Sequence, residues 1–340
     1  MSISRAASLF LLLAAAAASL PAQTLPPPDA KAARCGKTAT LIRDSILFVG
    51  PSTDSHRIQP VTQGHEVSII ETANNGWIRV FANTDIEQNA EEVEVFGVDA
   101  KIAPASGWLL DKGLVRKGQA NGDVLLFGAA ISAEAVATTG AGQRAAAQQA
   151  RLLYKRLTEY FPDSPLVPEA MWRSADIRWQ LDRADVQSRP SAHEKENYLR
   201  GQIDDEEMRK IEKKYPGSKW ASFAAWDKID NKLCGDWQGS VKCPQKEAEI
   251  YQKYAAEYPD SPRTSHALYN AAWRLACAGD MLAAEDSKED KEKAAKARAD
   301  AQAIAQQLQT KFPQTDYSAR AALLVYKMQQ SIPIYGSDRD

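Results

Sequence analysis

The sequence predicts a multi-domain chain: a small all-β module followed by an all-α array of stacked helical hairpins. Three observations carry this. Between Thr38 and about Val115, short β-rich runs alternate with turn residues. Beyond Gly118 helix formers take over, and proline and glycine retreat to the boundaries between segments. In this helical region a single pattern of residues recurs four times around a proline.

Ahead of both regions, residues 1–22 read as a signal peptide. Arg5 precedes an apolar run from Leu9 to Ala18 that is too short to span a bilayer, and small residues around Ala22 point to cleavage near Gln23. Residues 23–36, with Pro26, Pro27 and Pro28, form a stiff, extended spacer. The first cysteine, Cys35, lies well downstream and follows Arg34, so it does not suit a lipid anchor. The expectation is a periplasmic or secreted protein without a transmembrane segment. A formal net charge of −2 on 340 residues offers no field for nucleic acid or an anionic membrane.

The β module is expected over residues 37–118. Its runs are Thr40 to Val49, His65 to Glu71 and Trp77 to Phe81, punctuated by Gly50-Pro51-Ser52 and Asn74-Asn75-Gly76. Short strands joined by tight turns imply a small barrel or sandwich. Leu47 to Thr53, Gly64 before Val67, Gly76-Trp77 with Val80, and Gly107-Trp108 with Leu109 and Leu114 together resemble the bacterial SH3-like (SH3b) domain. The resemblance implies an SH3-like barrel that binds peptidoglycan or a peptide. Residues 82–104 depart from it as an insertion. Glu87, Glu91, Glu92 and Glu94 stand there beside alternating Val93, Val95 and Val98, which suits an extended hairpin. Residues 119–142 read as a connecting segment.

The array is expected over residues 143–330, with a tail at 331–340. Pro162, Pro216, Pro259 and Pro313 each follow an aromatic residue, and a hydroxyl stands two positions on at Ser164, Ser218, Ser261 and Thr315. Eight positions on stand Ala170, Ala224, Ala267 and Ala321; ten on, Trp172, Trp226, Tyr269 and Leu323; five before, Leu157, Ile211, Tyr254 and Leu308. Proline ends one helix, the hydroxyl caps the next, and Pro165 and Pro262 suit a first helical position. Alanine then admits a neighbouring helix closely. Tyr258 to Pro262, with the rest of this pattern, resembles the TPR repeats of periplasmic proteins of the outer-membrane assembly lipoprotein type. That implies a TPR-like solenoid of three repeats ending at Pro216, Pro259 and Pro313. A helix from about Gln143 to Phe161 would precede them, and one from about Thr315 to Gln330 would cap them. The repeats are longer than an ordinary TPR. The surplus falls at Arg183 to Gly201, Gly235 to Pro244 and Gly279 to about Lys291, expected as loops along one edge.

Candidate chemistry is sparse. His56, His65, His193 and His266 fit no metal or nucleophile motif, and neither a phosphate loop nor a nucleophile elbow occurs. No catalytic residue, metal or cofactor is expected. In an exported chain, Cys234 and Cys243 are the first choice for a disulfide stapling the second insertion; Cys243 with Cys277 is the rival pairing. Trp77, Phe81 and Trp108 are candidate ligand contacts of the β module, although Trp77 and Trp108 suit core positions better. Trp172, Trp179, Trp220, Trp226 and Tyr269 suit inter-helix packing. Trp237, inside the stapled loop, is the strongest contact candidate. Asp205 with Arg209, Glu206 with Lys210, Glu289 with Lys293 and Glu292 with Lys296 are spaced as helix-surface ion pairs.

The expected function is a non-catalytic exported adaptor. Its array would hold a protein partner of the cell envelope, with the long loops foremost, and its β module would contact cell wall or a peptide. The alternatives are a structural subunit of an envelope assembly complex without peptidoglycan binding, and a cell-wall hydrolase accessory enzyme.

Overall fold

The alternation of short apolar runs and turns between 37 and 116 becomes a seven-stranded antiparallel sheet, and the remainder becomes nine α-helices among the described residues. The structure is a computed structural model that describes residues 37–86, 91–95, 98–139 and 143–336. The expected signal peptide, the spacer with Cys35, Glu87 and the end of the tail lie outside the described residues.

The strands are β1 (Lys37–Leu41), β2 (Ser45–Phe48), β3 (Arg57–Val61), β4 (Glu66–Thr72), β5 (Trp77–Ala82), β6 (Glu91–Val95), β7 (Val98–Ile102), β8 (Ala105–Leu110) and β9 (Leu114–Arg116). The sheet order is β3-β2-β8-β5-β4-β1-β9, so it is an open sheet with β3 and β9 at its edges. Along β5 the side chains of Ile78, Val80 and Ala82 point to one face and join Leu47, Val61, Val67 and Leu109 in a buried cluster. β5 and β8 pair from Trp77↔Leu110 to Ala82↔Ala105, and β6 and β7 pair with each other as a separate ribbon inserted between them. The insertion is therefore a hairpin. It is tied down where Gln59 on β3 exchanges hydrogen bonds with the backbone of Ala103 and Asn83 donates to the same carbonyl at 3.3 Å.

The helices are α1 (Gly122–Thr139), α2 (Gln143–Tyr160), α3 (Val167–Gln187), α4 (Glu206–Lys214), α5 (Lys219–Asp227), α6 (Lys242–Glu257), α7 (Thr264–Ala283), α8 (Lys288–Lys311) and α9 (Asp316–Gln329). Among the described residues no helix is long and apolar enough to cross a membrane. The recurring alanines explain how they stack. Ala170, Ala224, Ala267 and Ala321 are all completely buried, and Leu157, Ile211, Tyr254 and Leu308 are buried beside them. Each apolar cluster spans neighbouring hairpins: one joins α1, α2 and α3, one joins α3, α4 and α5, and one runs from α5 to α9. No hairpin closes its own core, which is the condition that makes stacking obligatory.

Four sequence expectations are corrected. The connecting segment contains α1, whose apolar residues lie all round the helix and so give no one-sided periodicity. Leu126 and Ala130 face α2 and α3, while Val124, Leu125, Ile131 and Val136 remain exposed. The third surplus segment, Gly279 to Lys291, is not a loop. α7 and α8 extend into it and leave only residues 284–287 between them, because Ser287 caps α8 by accepting from Asp290 N at 3.0 Å. Ser218 and Thr315 cap α5 and α9 in the same way. At Ser164 and Ser261, by contrast, the hydroxyl accepts from the N–H two residues on at 3.2 Å, and regular helix starts one residue after that, beyond Pro165 and Pro262. The surface ion pairs Asp205–Arg209, Glu206–Lys210 and Glu289–Lys293 form, whereas Glu292 pairs back to Lys288 and Lys296 forward to Asp300.

Candidate functional site

Three surfaces carry clusters of aromatic residues. The first is the outer face of the sheet. Residues directly paired across strands share a face, and the pairs Phe48↔Trp108, Arg79↔Trp108 and Phe81↔Ser106 place Phe48, Trp77, Arg79, Phe81 and Trp108 opposite the buried cluster. Trp77 meets Phe48 edge-on at 5.5 Å and is only 6% exposed, while Trp108 and Phe81 are half-buried. The core reading of Trp77 and Trp108 is thus corrected in its side: both lie outside the inner core, and Trp77 is covered by a neighbour on the outer face.

The second surface runs along the first helices of successive repeats. Positions four, seven and ten after each repeat proline form one helical stripe. Trp172 on α3 packs against Trp220 and Phe223 on α5 at 5.5 and 4.9 Å. Arg263 bridges onward, its guanidinium 5.8 Å from Phe223 and 5.9 Å from Trp226. Trp226 meets His266 on α7 at 4.7 Å, and His266 stacks on Tyr317 of α9 at 4.3 Å with planes 12° apart. Lys219 and Arg320 lie over ridge rings from its exposed side. Under this ridge Trp172 Nε1 donates to Asp227 at 3.2 Å. Burial, reinforced by the neighbouring Asp176 carboxylate, pushes Asp227 up to about 8 against the opposing hydrogen bond from Trp172 and charge of Arg263. Asp176 is raised too, first by burial.

The third surface is a cleft of about 640 Å³ at the stapled loop. Cys234 and Cys243 are joined by a disulfide, with Cα atoms 5.9 Å apart, and Cys277 lies fully buried in α7. The rival pairing of Cys243 with Cys277 is corrected accordingly. The loop rests on the first insertion: Gly235 N donates to Lys195 O at 3.1 Å, and a Cβ at Gly235 would lie 2.1 Å from Glu194 O. Only glycine fits there. Trp237 is thereby turned toward α7, 5.6 Å from Trp273, and its ring lies nearly parallel to Tyr335 at 6.2 Å.

The floor of the cleft is a buried ion pair. Glu247 on α6, 2% exposed, accepts from Cys234 N at 2.9 Å and Trp237 Nε1 at 3.1 Å through one oxygen. Its other oxygen accepts from Arg274 Nε at 2.6 Å. Arg274 Nη1 donates to Asn270 Oδ1 at 2.6 Å, and the guanidinium lies over Tyr251 and Trp273. Tyr335 comes from beyond α9. Its N–H and that of Ile334 donate to Asp280 Oδ2 at 3.2 and 2.6 Å, and Arg298 holds the other oxygen at 2.8 Å.

Of the sequence candidates, Trp237, Cys234 and Cys243 therefore come together, while Trp77, Phe81 and Trp108 share a separate face. Sequence reasoning passed over Glu247, Asn270, Trp273, Arg274 and Tyr335. Trp273 and Arg274 follow the repeat stripe of α7 by a further turn, which is a readable signal; nothing local marks Tyr335. Among the described residues no cluster of His, Cys, Asp and Glu could hold a metal ion. No protein-family model matches the chain, and no curated protein matches its sequence.

Proposed function

We propose that the protein is a non-catalytic adaptor of the cell envelope, exported by its signal peptide. The β module, read as SH3b-like, contacts cell wall or a peptide through the outer face carrying Phe81 and Trp108. The helical array, read as a TPR-like solenoid, holds a protein partner. The observation that carries this reading is the half-buried aromatic ridge from Trp172 to Tyr317, which crosses α3, α5, α7 and α9 with Lys219, Arg263 and Arg320 stacked on it. Aromatic and arginine side chains supply most of the energy at protein interfaces, and here they are continuous across four helices.

The test is affinity purification of the full chain from native envelope, comparing the wild type with a Trp220→Ala, Arg263→Ala double variant of matched stability. The double variant should lose the principal co-purifying protein. Recovery of the same proteins by both would end the partner reading. Wall contact is tested separately by sedimenting the full chain with purified sacculi.

A second reading, a structural subunit without peptidoglycan binding, is favoured by one observation: one end of the sheet is already occupied by the chain's own α2 through Arg156 and Tyr160. Under it the protein stays in the supernatant of the sacculus assay while still recovering its partner.

A further inference from the structure

The cleft at the stapled loop has a chemistry of its own. Its ionisable lining is nearly self-neutralised. Glu247 and Arg274 are paired, and Asp236 at the rim is left beside His193 at 3.5 Å. An anionic ligand would meet two carboxylates, and a cation would meet a guanidinium already seated over the Trp273 ring. Both are disfavoured by like-charge contact in a partly desolvated site.

What the cleft offers is flat apolar surface with hydrogen-bonding edges. Trp237 and Tyr335 stack nearly parallel with centroids 6.2 Å apart, and Trp273 is tilted 44° to Trp237. One donor on the corner they make is unspent, and a second is sealed beneath it. Trp273 Nε1 is buried without a hydrogen-bond partner. Arg274 uses Nε and Nη1, while Nη2 carries no hydrogen bond among the described residues. Asp236 and Gln238 add exposed polar groups at the mouth, with Gln238 held at φ 51° on the loop tip.

We propose that this cleft binds a neutral saccharide. A pyranose presents an apolar C–H face to lie on the indole and phenol rings and an equatorial rim of hydroxyls to accept from Arg274 Nη2 and donate to Asp236 or Gln238. It brings no net charge. A volume of about 640 Å³ lies within the usual range for small-ligand sites, roughly 300–1,000 Å³. The disulfide fixes the wall from one side and the Asp280 clasp on Ile334 and Tyr335 fixes it from the other, so little ordering remains to oppose binding. The inference goes beyond the adaptor reading and stands whether or not the ridge holds a protein.

The experiment is a fluorescence and calorimetric titration of the full oxidised chain with chitotetraose, cellotetraose and maltotetraose, with choline and an acidic hexapeptide as competitors in kind. At least one tetrasaccharide should bind saturably and shift tryptophan emission. Tyr335→Ala, a change on an exposed segment, should weaken that binding about 10-fold or more, as expected for loss of an anchoring aromatic. Trp237→Phe, which keeps the platform, should weaken it less than Trp237→Ala. Failure of all three saccharides to bind overturns the proposal. So does binding that is unchanged in both Tyr335→Ala and Trp237→Ala, or tighter binding of choline or the peptide than of any saccharide. The envelope purification and sacculus sedimentation read other surfaces, so their failure leaves this result separately legible.

Discussion

Arg156, near the C-terminal end of α2, places its Nη2 2.8 Å from Asp85 just beyond β5, and so ties the helical array to the sheet. The guanidinium is buried, 6% exposed, and also meets Glu66 at 3.5 Å and Glu159 at 2.5 Å. Asp85 in turn bonds His65 at 3.3 Å, and Tyr160 donates to Glu66 at 2.9 Å. Burial alone would raise the Asp85 carboxyl, but the His65 hydrogen bond and the charges of His65 and Arg156 hold it below the ordinary carboxylate range. The sheet and the array thus meet through a wired polar cluster as well as through the apolar contact of Val115 with α1 and α2.

Removing Arg156 strands these carboxylates. Arg156→Ala is expected to destabilise the protein by about 3–5 kcal/mol, the usual cost of orphaning a buried charge. Arg156→Lys should recover only a fraction of this, because one ammonium cannot reproduce the fork that reaches three carboxylates. Urea denaturation followed by circular dichroism checks both. A loss under about 1 kcal/mol for the alanine variant would show that water replaces the guanidinium at no great cost.

The same seam makes Gly64 special. It sits at φ 92°, and a Cβ there would approach Leu152 Cβ on α2 to 2.7 Å. Gly64→Ala is expected to cost about 1–3 kcal/mol from backbone strain and overpacking together. Gly76 has a similar φ of 79° but open space around it, so Gly76→Ala should cost only its share of strain. The difference between the two unfolding midpoints isolates the contact with α2.

Asp227 gives the array a pH dependence whose sign is fixed by its shift. Its folded value, about 8, lies above the ordinary 3.8 of an exposed aspartate. Between those values the folded state binds a proton that the unfolded chain does not. Its contribution is therefore fully present below about 3.8 and is lost as pH rises through about 8. Asp227→Asn keeps an acceptor for Trp172 and removes the titration. The variant should be more stable than wild type near pH 9 and should lose that advantage progressively toward pH 4, as read by urea midpoints across that window. Asp176→Asn should lower the Asp227 value by removing the neighbouring carboxylate.

Periodic features were the most legible in the sequence, because their cause is local. A proline that stops a helix and an alanine eight residues on that must be buried recur together, and Ala170, Ala224, Ala267 and Ala321 all lie in the core. What depends on distant partners was not legible. In Trp77-Ile78-Arg79-Val80-Phe81-Ala82 both alternating sets contain large apolar residues, so neither face announces itself as inner; the pairing with β8 decides it. α1 escaped notice because it is apolar on every side, and a helix is recognised by contrast between faces. The cleft needed three remote pieces, Trp237 from a loop, Arg274 from α7 and Tyr335 from beyond α9. Its last piece is placed by Asp280, to which no sequence pattern connects it.

The disulfide should matter to the cleft more than to the fold. Closing a loop with nine residues of separation restricts the unfolded chain by about 2–3 kcal/mol in the chain-entropy account. The helices on either side, α5 with its following 3₁₀ turn and α6, remain packed through Trp226, Tyr251 and Tyr254 regardless of the bridge. A Cys234→Ser, Cys243→Ser variant is therefore expected to fold, with its unfolding free energy lowered by about 2–3 kcal/mol. The loop, once unstapled, retains the Glu247 bonds to Cys234 N and Trp237 Nε1, the bonds of Gly235 N to Lys195 O and Asp236 N to His193 O, and the exposed Asp236–His193 contact. Hydrogen exchange should consequently rise at residues 234–240 and at the Trp237 indole while staying unchanged in α7 and α8. Exchange that rises equally across α6 and α7 would mean that the bridge supports the repeat itself, and the cleft would then be a by-product of repeat closure.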